Sequence, residues 1–135
     1  MDNSNGSNRP LSPHITIYRP QITSVLSIVH RITGAGLTLG MVLIVWWFVA
    51  AATSPGYFRF VDGLLTSWAG LLILGGSLWA FWFHFFNGIR HLRWDAGKGL
   101  SLAQSTRSGW RVLGFSVLAT TVSVAWLSGG LDNVI

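Results

Sequence analysis

The segment that decides the fold of this chain is residues 81–95, which read FWFHFFNGIRHLRWD. It closes a run from Gly63 to Ile89 that contains no Asp, Glu, Lys or Arg. An α-helix needs only about 20 apolar residues to cross the hydrocarbon core of a bilayer, so the run predicts a transmembrane helix. Arg90 is the first charge after it, and His84 lies roughly 9 Å deeper along the helix axis. The sequence therefore places an imidazole inside the membrane.

An imidazole at this depth indicates a functional site, because ionisable groups in a membrane are costly unless they face protein or water. His84, Gly88, His91 and Asp95 follow one another at i, i+4, i+7 and i+11, which is one stripe of a helix. Gly88 leaves room one turn from His84, where a porphyrin coordinated by the imidazole would fit. The spacing also allows a purely structural alternative, in which His84 hydrogen-bonds a neighbouring helix and Gly88 allows close helix packing.

The composition is that of an integral membrane protein. Of the 135 residues, 50% are hydrophobic and 10% are charged, and the mean hydropathy is +0.50. The absence of cysteine excludes disulfides, covalent c-type haem attachment and cysteine-ligated clusters or zinc sites. The net charge of +5 does not indicate nucleic-acid binding, because the basic residues stand at the ends of apolar segments and form no polar face.

Three apolar segments predict an all-α membrane protein. The transmembrane domain is expected over residues 23–131, with spans at about 32–52, 64–89 and 112–131. Thr23 or Ser24 is the expected N-cap of the first helix.

The remaining segments are polar or punctuated by proline. We expect residues 1–8 to form a disordered polar tail, and residues 9–22 to form a proline-rich lead-in on a partner or the membrane surface. After the helix-stopping residues 53–56, residues 57–62 are interpreted as an aromatic loop at the membrane interface. Residues 132–135 are the expected outer tail.

Lysine and arginine are distributed unequally between the two sides of the predicted spans. Three precede the first span and five lie between the second and third, whereas Arg59 is alone on the other side. The positive-inside rule then places the amino terminus on the cytoplasmic or matrix side and the carboxyl terminus outside. With this topology, the stripe that contains His84 ends at the inner face.

A second polar patch enters the membrane at the same face. It consists of Ser27, His30, Arg31 and Gly34, which are spaced i, i+3, i+4 and i+7 on the first helix. The purely structural alternative is a snorkelling arginine beside a helical serine and an interfacial histidine. The predicted topology brings both patches to one site.

The two patches together resemble a known family. The first reads Ser27-x-x-His30-Arg31-x-Thr33-Gly34 and follows an Arg9-Pro10-x-Ser12-Pro13-His14 lead-in; the second reads His84-x-x-x-Gly88-Ile89-Arg90-His91-x-x-x-Asp95. In this order on a three-span chain, they resemble the cytochrome b membrane-anchor subunits of succinate dehydrogenase, respiratory complex II. The resemblance covers the chain from about Arg9 through the third span.

The resemblance implies a heterotetramer built on two small anchors, of which this chain would be the larger. A flavoprotein oxidises succinate, an iron–sulfur protein carries the electrons, and the anchors form a helical bundle around haem b and a ubiquinone site. It implies that His84 is an axial ligand of the haem iron, opposite a histidine of the other anchor. Residues His30 and Arg31 would lie near the haem propionates. His91, at the interface, is expected to contact a propionate or to hydrogen-bond, although alternative ligation by His91 is left open.

The resemblance also implies a quinone site at the inner face. Ser27 and Arg31 would help to line it, and Asp95 would help to deliver protons to the quinone. Apolar side chains such as Ile28 are expected to accept the quinone ring and tail. Hydrogen-bond donors and a titratable group at the water boundary are what quinone reduction requires, because it consumes two protons.

The expected function is therefore that of a membrane-anchoring haem b subunit of succinate:ubiquinone oxidoreductase, one that does not itself bind succinate. The alternatives are the anchor of a fumarate reductase and a haem-free structural anchor. A small transporter is disfavoured, because the chain has no inverted repeat. The lack of a transit signal favours a bacterial inner membrane over a mitochondrial one. Assembly of the tetramers into trimers is left open.

Overall fold

The fold consists of α-helices joined by short connections. The computed structural model describes residues 20–131, and these contain no strand. The helices are α1 (Ile22–Thr53), α2 (Pro55–Leu65), α3 (Trp68–Asp95) and α4 (Leu102–Leu131). Helices α1, α3 and α4 are long and apolar enough to cross a membrane, which confirms the predicted all-α fold with three spans. The tails predicted at residues 1–8 and 132–135, and the lead-in up to residue 19, lie outside the described residues.

The start of α1 differs from the prediction. Gln21 occupies the N-cap position in an extended conformation, and its carbonyl accepts the Val25 N–H at 3.1 Å. The prediction that Thr23 or Ser24 caps the helix is wrong, because both residues already lie inside it. The helix begins at Ile22, two residues after Pro20, and its first turn has no side-chain cap.

The predicted aromatic loop at residues 57–62 is also wrong, because these residues belong to α2. Ser54 accepts the N–H of Tyr57 at 3.2 Å, and Pro55 follows as the first helical residue, where its missing N–H costs nothing. Ser67 then caps α3 by accepting the N–H of Gly70 at 3.2 Å. The second long helix therefore begins at Trp68, four residues later than the predicted span.

Helix α2 is fastened to the end of α1 by two tryptophans. Trp46 donates its indole N–H to the hydroxyl of Tyr57 at 2.6 Å, and Trp47 donates to Asp62 Oδ1 at 3.1 Å. Val61 of α2 is fully buried. The two indole hydrogen bonds thus stabilise the turn between α1 and α2.

Helix α3 packs against both other long helices. Its contacts with α1 and α4 are each more extensive than those between α1 and α4. The core contains one buried side chain from each of the three long helices, namely Leu26, Phe83 and Val112. Gly109 brings α4 close to α1, because a Cβ atom there would lie only 2.7 Å from Leu26 Cδ1.

Little of the apolar surface is covered within the chain. Among the described residues, only five hydrophobic side chains are buried, while large ones such as Leu39 and Trp126 are 69% and 79% exposed. Apolar surface of this extent is stable only against lipid or against other helices. The described helices therefore present most of their apolar surface to lipid or to further helices.

Candidate functional site

His84 projects from α3 onto the backbone of α1. Its Nδ1 atom lies 3.1 Å from the carbonyl oxygen of His30 and 3.3 Å from Oγ1 of Thr33. The Thr33 hydroxyl donates to the same carbonyl at 3.0 Å. A carbonyl oxygen can only accept, so Nδ1 of His84 carries the ring proton and Nε2 keeps a free lone pair. No group among residues 20–131 hydrogen-bonds that Nε2 atom.

Gly34 makes this approach of the two helices sterically feasible. A Cβ atom at position 34 would lie 3.1 Å from Cε1 and 3.6 Å from Nδ1 of His84. Gly88 differs, since a Cβ atom there would meet no described atom within 4 Å. The structural alternative for this helix predicted two contacts. The hydrogen bond from His84 to a neighbouring helix is confirmed, whereas Gly88 has no packing role within the described part of the chain.

The structure brings three predicted histidines together. The rings of His30 and His84 stack with centroids 3.8 Å apart and planes inclined by 11°. His91 is tilted against His30 at a centroid distance of 5.1 Å. Nδ1 of His30 is buried and has no hydrogen-bond partner among the described residues. Buried polar atoms normally have a partner, so this nitrogen points to a group contributed from outside residues 20–131.

The other candidates of α1 lie on an open surface. Ser27 donates its hydroxyl to the carbonyl of Thr23 at 3.0 Å, and Ile28 is 58% exposed. Arg31, one turn beyond Ser27, is exposed and forms no ion pair or hydrogen bond with the described residues. Within this chain these residues form one wall and no closed pocket.

Asp95 is the last residue of α3 and is exposed. It forms no ion pair with any residue that the structure describes, and the same residues contain no cluster of three or more His, Cys, Asp or Glu that would hold a metal ion. A metal centre in this region would need ligands from beyond the part of the chain that the structure describes.

Arg90 has a role that the sequence analysis missed when it treated this residue as a topology signal. It is only 4% exposed, and its side chain connects α3 to α4 by hydrogen bonds. We call this set of contacts the Arg90 clamp. Its Nε donates to Ser108 Oγ at 3.0 Å, and its Nη2 donates to the carbonyl oxygen and hydroxyl of Ser105 at 3.0 and 3.3 Å. Its guanidinium also lies 4.1 Å from the ring centroid of Trp94. Serines three residues apart on α4 are the sequence signal that would have suggested a buried partner.

Asn87 connects this clamp to the histidines. It is fully buried, and its Oδ1 accepts from Arg90 Nη1 at 3.2 Å. Its amide nitrogen therefore faces His91 and donates to Nε2 of that ring at 3.3 Å. Because Nε2 of His91 accepts this bond, its lone pair is already used, in contrast to that of His84.

Removal of the Arg90 clamp is expected to destabilise the contact between α3 and α4. In Arg90→Leu, the buried Asn87 Oδ1 and the Ser105 hydroxyl lose their donor, whereas the Ser105 carbonyl still accepts from Ser108. Each buried group left unpaired costs about 1–3 kcal/mol. Thermal unfolding of the detergent-solubilised protein, followed by tryptophan fluorescence, should show a lower midpoint. The exposed neighbour serves as control, so Arg93→Leu should melt like the unaltered protein. Equal midpoints for both variants would contradict the clamp.

Comparison with known proteins shows the family of the chain. Residues 5–123 match the model of the family described as succinate dehydrogenase/fumarate reductase transmembrane subunit. The chain is 46% identical to the succinate dehydrogenase cytochrome b556 subunit of Paracoccus denitrificans, over 92% of this chain and 95% of the relative. It is 40% identical to the subunit of that name from Rickettsia bellii, over 84% of this chain and 89% of the relative. It is 44% identical to the mitochondrial cytochrome b560 subunit of Sus scrofa succinate dehydrogenase, over 85% of this chain and 69% of the relative.

Proposed function

This chain belongs to the family of succinate dehydrogenase/fumarate reductase transmembrane subunits, and we propose that it is the haem b anchor subunit of a succinate:ubiquinone oxidoreductase. In this role it anchors a flavoprotein and an iron–sulfur subunit to a bacterial inner membrane and helps to form the quinone site. Succinate is oxidised in the flavoprotein and does not contact this chain. The relatives described above are all succinate dehydrogenase subunits, which favours this direction of flux over a fumarate reductase.

The observation that carries the proposal is the state of the His84 ring. A histidine that binds iron usually donates its other N–H to a carbonyl or carboxylate, which fixes the tautomer and the ring orientation. His84 has this arrangement, with Nδ1–H on the His30 carbonyl and a free lone pair on Nε2. The residues therefore fit a haem iron bound at Nε2. The second axial ligand is assigned to a histidine of the other anchor, as the resemblance to the family implies.

The residues around His84 fit the rest of the cofactor. A bound b haem would supply a one-electron redox centre beside the quinone site. His30 keeps an unpartnered buried Nδ1 and Arg31 an unpaired cation, so both are suited to the anionic propionates. His91 is already held by Asn87 through Nε2, which leaves Nδ1–H as the donor that it offers to a propionate.

The quinone site is assigned to the open wall of α1. Arg31 offers a permanent cation with free donors, which stabilises negative charge developing on a quinone carbonyl oxygen. The Ser27 hydroxyl accepts a hydrogen bond without rearrangement, and it donates to the quinone only by releasing the carbonyl of Thr23. Exposed Ile28 offers an apolar contact for the ring or tail. Asp95 is the proposed source of protons from the inner aqueous side.

The partners follow from the uncovered surface and the charge distribution. The exposed apolar faces of α1, α3 and α4 leave room for a second anchor helix bundle as well as lipid. The basic connection between α3 and α4 supports a cytoplasmic location for this end and the amino terminus, and we propose that the iron–sulfur subunit binds there. Assembly of these tetramers into trimers remains a further proposal.

Affinity purification of the tagged chain from its native membrane in mild detergent tests the function. We expect an iron–sulfur subunit, a flavoprotein and a second small membrane subunit to coelute, with a b-type band in the reduced-minus-oxidised spectrum. Coelution of the three subunits without pigment would leave only a structural anchor. Elution without the flavoprotein would contradict the proposed complex altogether.

A further inference from the structure

A groove of about 440 Å³ lies between α3 and α4, at the ends that are joined by residues 96–101. Its rim carries five basic side chains, namely Arg90, Arg93, Lys98, Arg107 and Arg111. Its walls include the apolar side chains of Phe86, Ile89 and Phe115. None of the residues assigned above to the haem or the quinone lines this groove.

The charged residues that line the groove are all basic. Residues 20–131 contain seven Lys and Arg residues, of which five line the groove, and two acids, Asp62 and Asp95, neither of which does. Arg90 is occupied by Asn87 and the α4 serines. The other four cations are exposed, and no described acid pairs with them. A site of this kind attracts an anion.

Hydrogen bonds hold the backbone of the connection after α3, which carries Lys98, one of these cations. Gly97 adopts a left-handed conformation with φ of 70°, its N–H donates to the Trp94 carbonyl at 2.8 Å, and the Lys98 N–H donates to the Arg93 carbonyl at 2.9 Å. This is the Schellman end of a helix, which requires little side-chain bulk at the left-handed position. Trp94 also donates its indole N–H to the Gly99 carbonyl at 3.1 Å. The backbone at this end of the groove is therefore held by hydrogen bonds within the chain.

We propose that this groove binds an anionic phospholipid, with the phosphate at the basic rim and the upper part of an acyl chain along the apolar wall. A free phosphate ion would make no use of Phe86, Ile89 and Phe115. An acidic protein surface would meet the rim but would not enter an apolar groove. Basic pockets between transmembrane helices on the cytoplasmic side are suited to anionic headgroups, and the groove lies at the basic end of two such helices.

Lipid binding by the purified complex tests this proposal, which does not depend on the haem assignment. The complex is delipidated and titrated with phosphatidylglycerol or phosphatidylcholine of the same acyl chains, and bound lipid is counted by native mass spectrometry. The unaltered complex should prefer phosphatidylglycerol. In the triple variant Arg93→Gln, Lys98→Gln, Arg107→Gln, its affinity should fall by roughly tenfold or more, given the contribution of each surface cation to anionic-lipid binding.

Arg59→Gln is the matched control, because it removes a cation from α2, which does not line the groove. It should leave the lipid preference unchanged, and all variants should keep the b-type spectrum of the unaltered complex. Equal phosphatidylglycerol affinity in the triple variant would overturn the proposal. Displacement of the lipid by inorganic phosphate alone would assign the rim to the free ion. Loss of the soluble subunits from the triple variant at unchanged lipid affinity would assign it to an acidic protein.

Discussion

Replacement of His84 by alanine is expected to remove the b-type absorption band of the complex almost completely. Nε2 of His84 is the free imidazole nitrogen that the structure orients through the carbonyl of His30. Under the proposed ligation by two histidines, the iron would then retain only the ligand of the other anchor. The measurement is the reduced-minus-oxidised difference spectrum of the purified complex, normalised to the flavin content so that loss of pigment is separated from loss of protein.

Two further variants separate ligation from general damage at this site. His91→Ala removes a histidine of the same α3 stripe whose Nε2 already accepts from Asn87, so the band should persist. Gly34→Val keeps His84 but places side-chain atoms where the ring now lies, because even a Cβ would be 3.1 Å from Cε1, so the band should weaken or shift. If His84→Ala keeps the spectrum and His91→Ala loses it, the ligand assignment must be moved to His91.

Replacement of Arg31 by alanine is expected to lower succinate:ubiquinone reductase activity by roughly a hundredfold, the usual effect of losing one donor that stabilises developing negative charge. Oxidation of succinate by an artificial acceptor should be almost unchanged, since electrons reach that acceptor without the quinone site. Both activities are measured on the same preparation, with the haem content determined in parallel because Arg31 is also assigned to the propionates.

Arg31→Lys is the matched variant for this experiment. It keeps the positive charge but loses the fork of donors, so its quinone reductase activity should lie between those of the alanine variant and the unaltered complex. Ser27→Ala, one turn away on α1, should reduce the activity less, because the Ser27 hydroxyl already donates to Thr23. Equal loss of both activities in Arg31→Ala would show that the substitution damages the whole complex, and a quinone role for Arg31 would be rejected.

Much of the fold could be predicted from local properties of the sequence. Hydropathy is read over about 20 residues, so the three long helices follow from the runs that contain His84, Leu39 and Val122. The errors lie at the helix ends, where one or two hydrogen bonds decide the outcome. Ser54, Pro55 and two tryptophan indoles turn the segment at residues 57–62 into a helix, and no hydropathy pattern reports such bonds.

The candidate site was less accessible to sequence reasoning than the fold. The spacing of His84 and His91 indicates one helix stripe, but it does not say which ring has a free nitrogen. That difference arises because His84 meets the backbone of α1, 54 residues away, whereas His91 meets Asn87 on its own helix. The role of Arg90 was missed for the same reason, since its partners Ser105 and Ser108 belong to α4.

The sequence by itself therefore determined the number of membrane-length helices, the unequal distribution of basic residues between their ends and the two motifs that resemble the family, because these are properties of residues close together in the chain. Only the tertiary structure decided that Nδ1 of His84 is bonded and Nε2 is free, that Gly34 admits the ring, and that Arg90 is buried while its basic neighbours line a groove. Each of these depends on which faces of α1, α3 and α4 meet, and helix packing is set by side-chain shape and hydrogen bonding between distant segments.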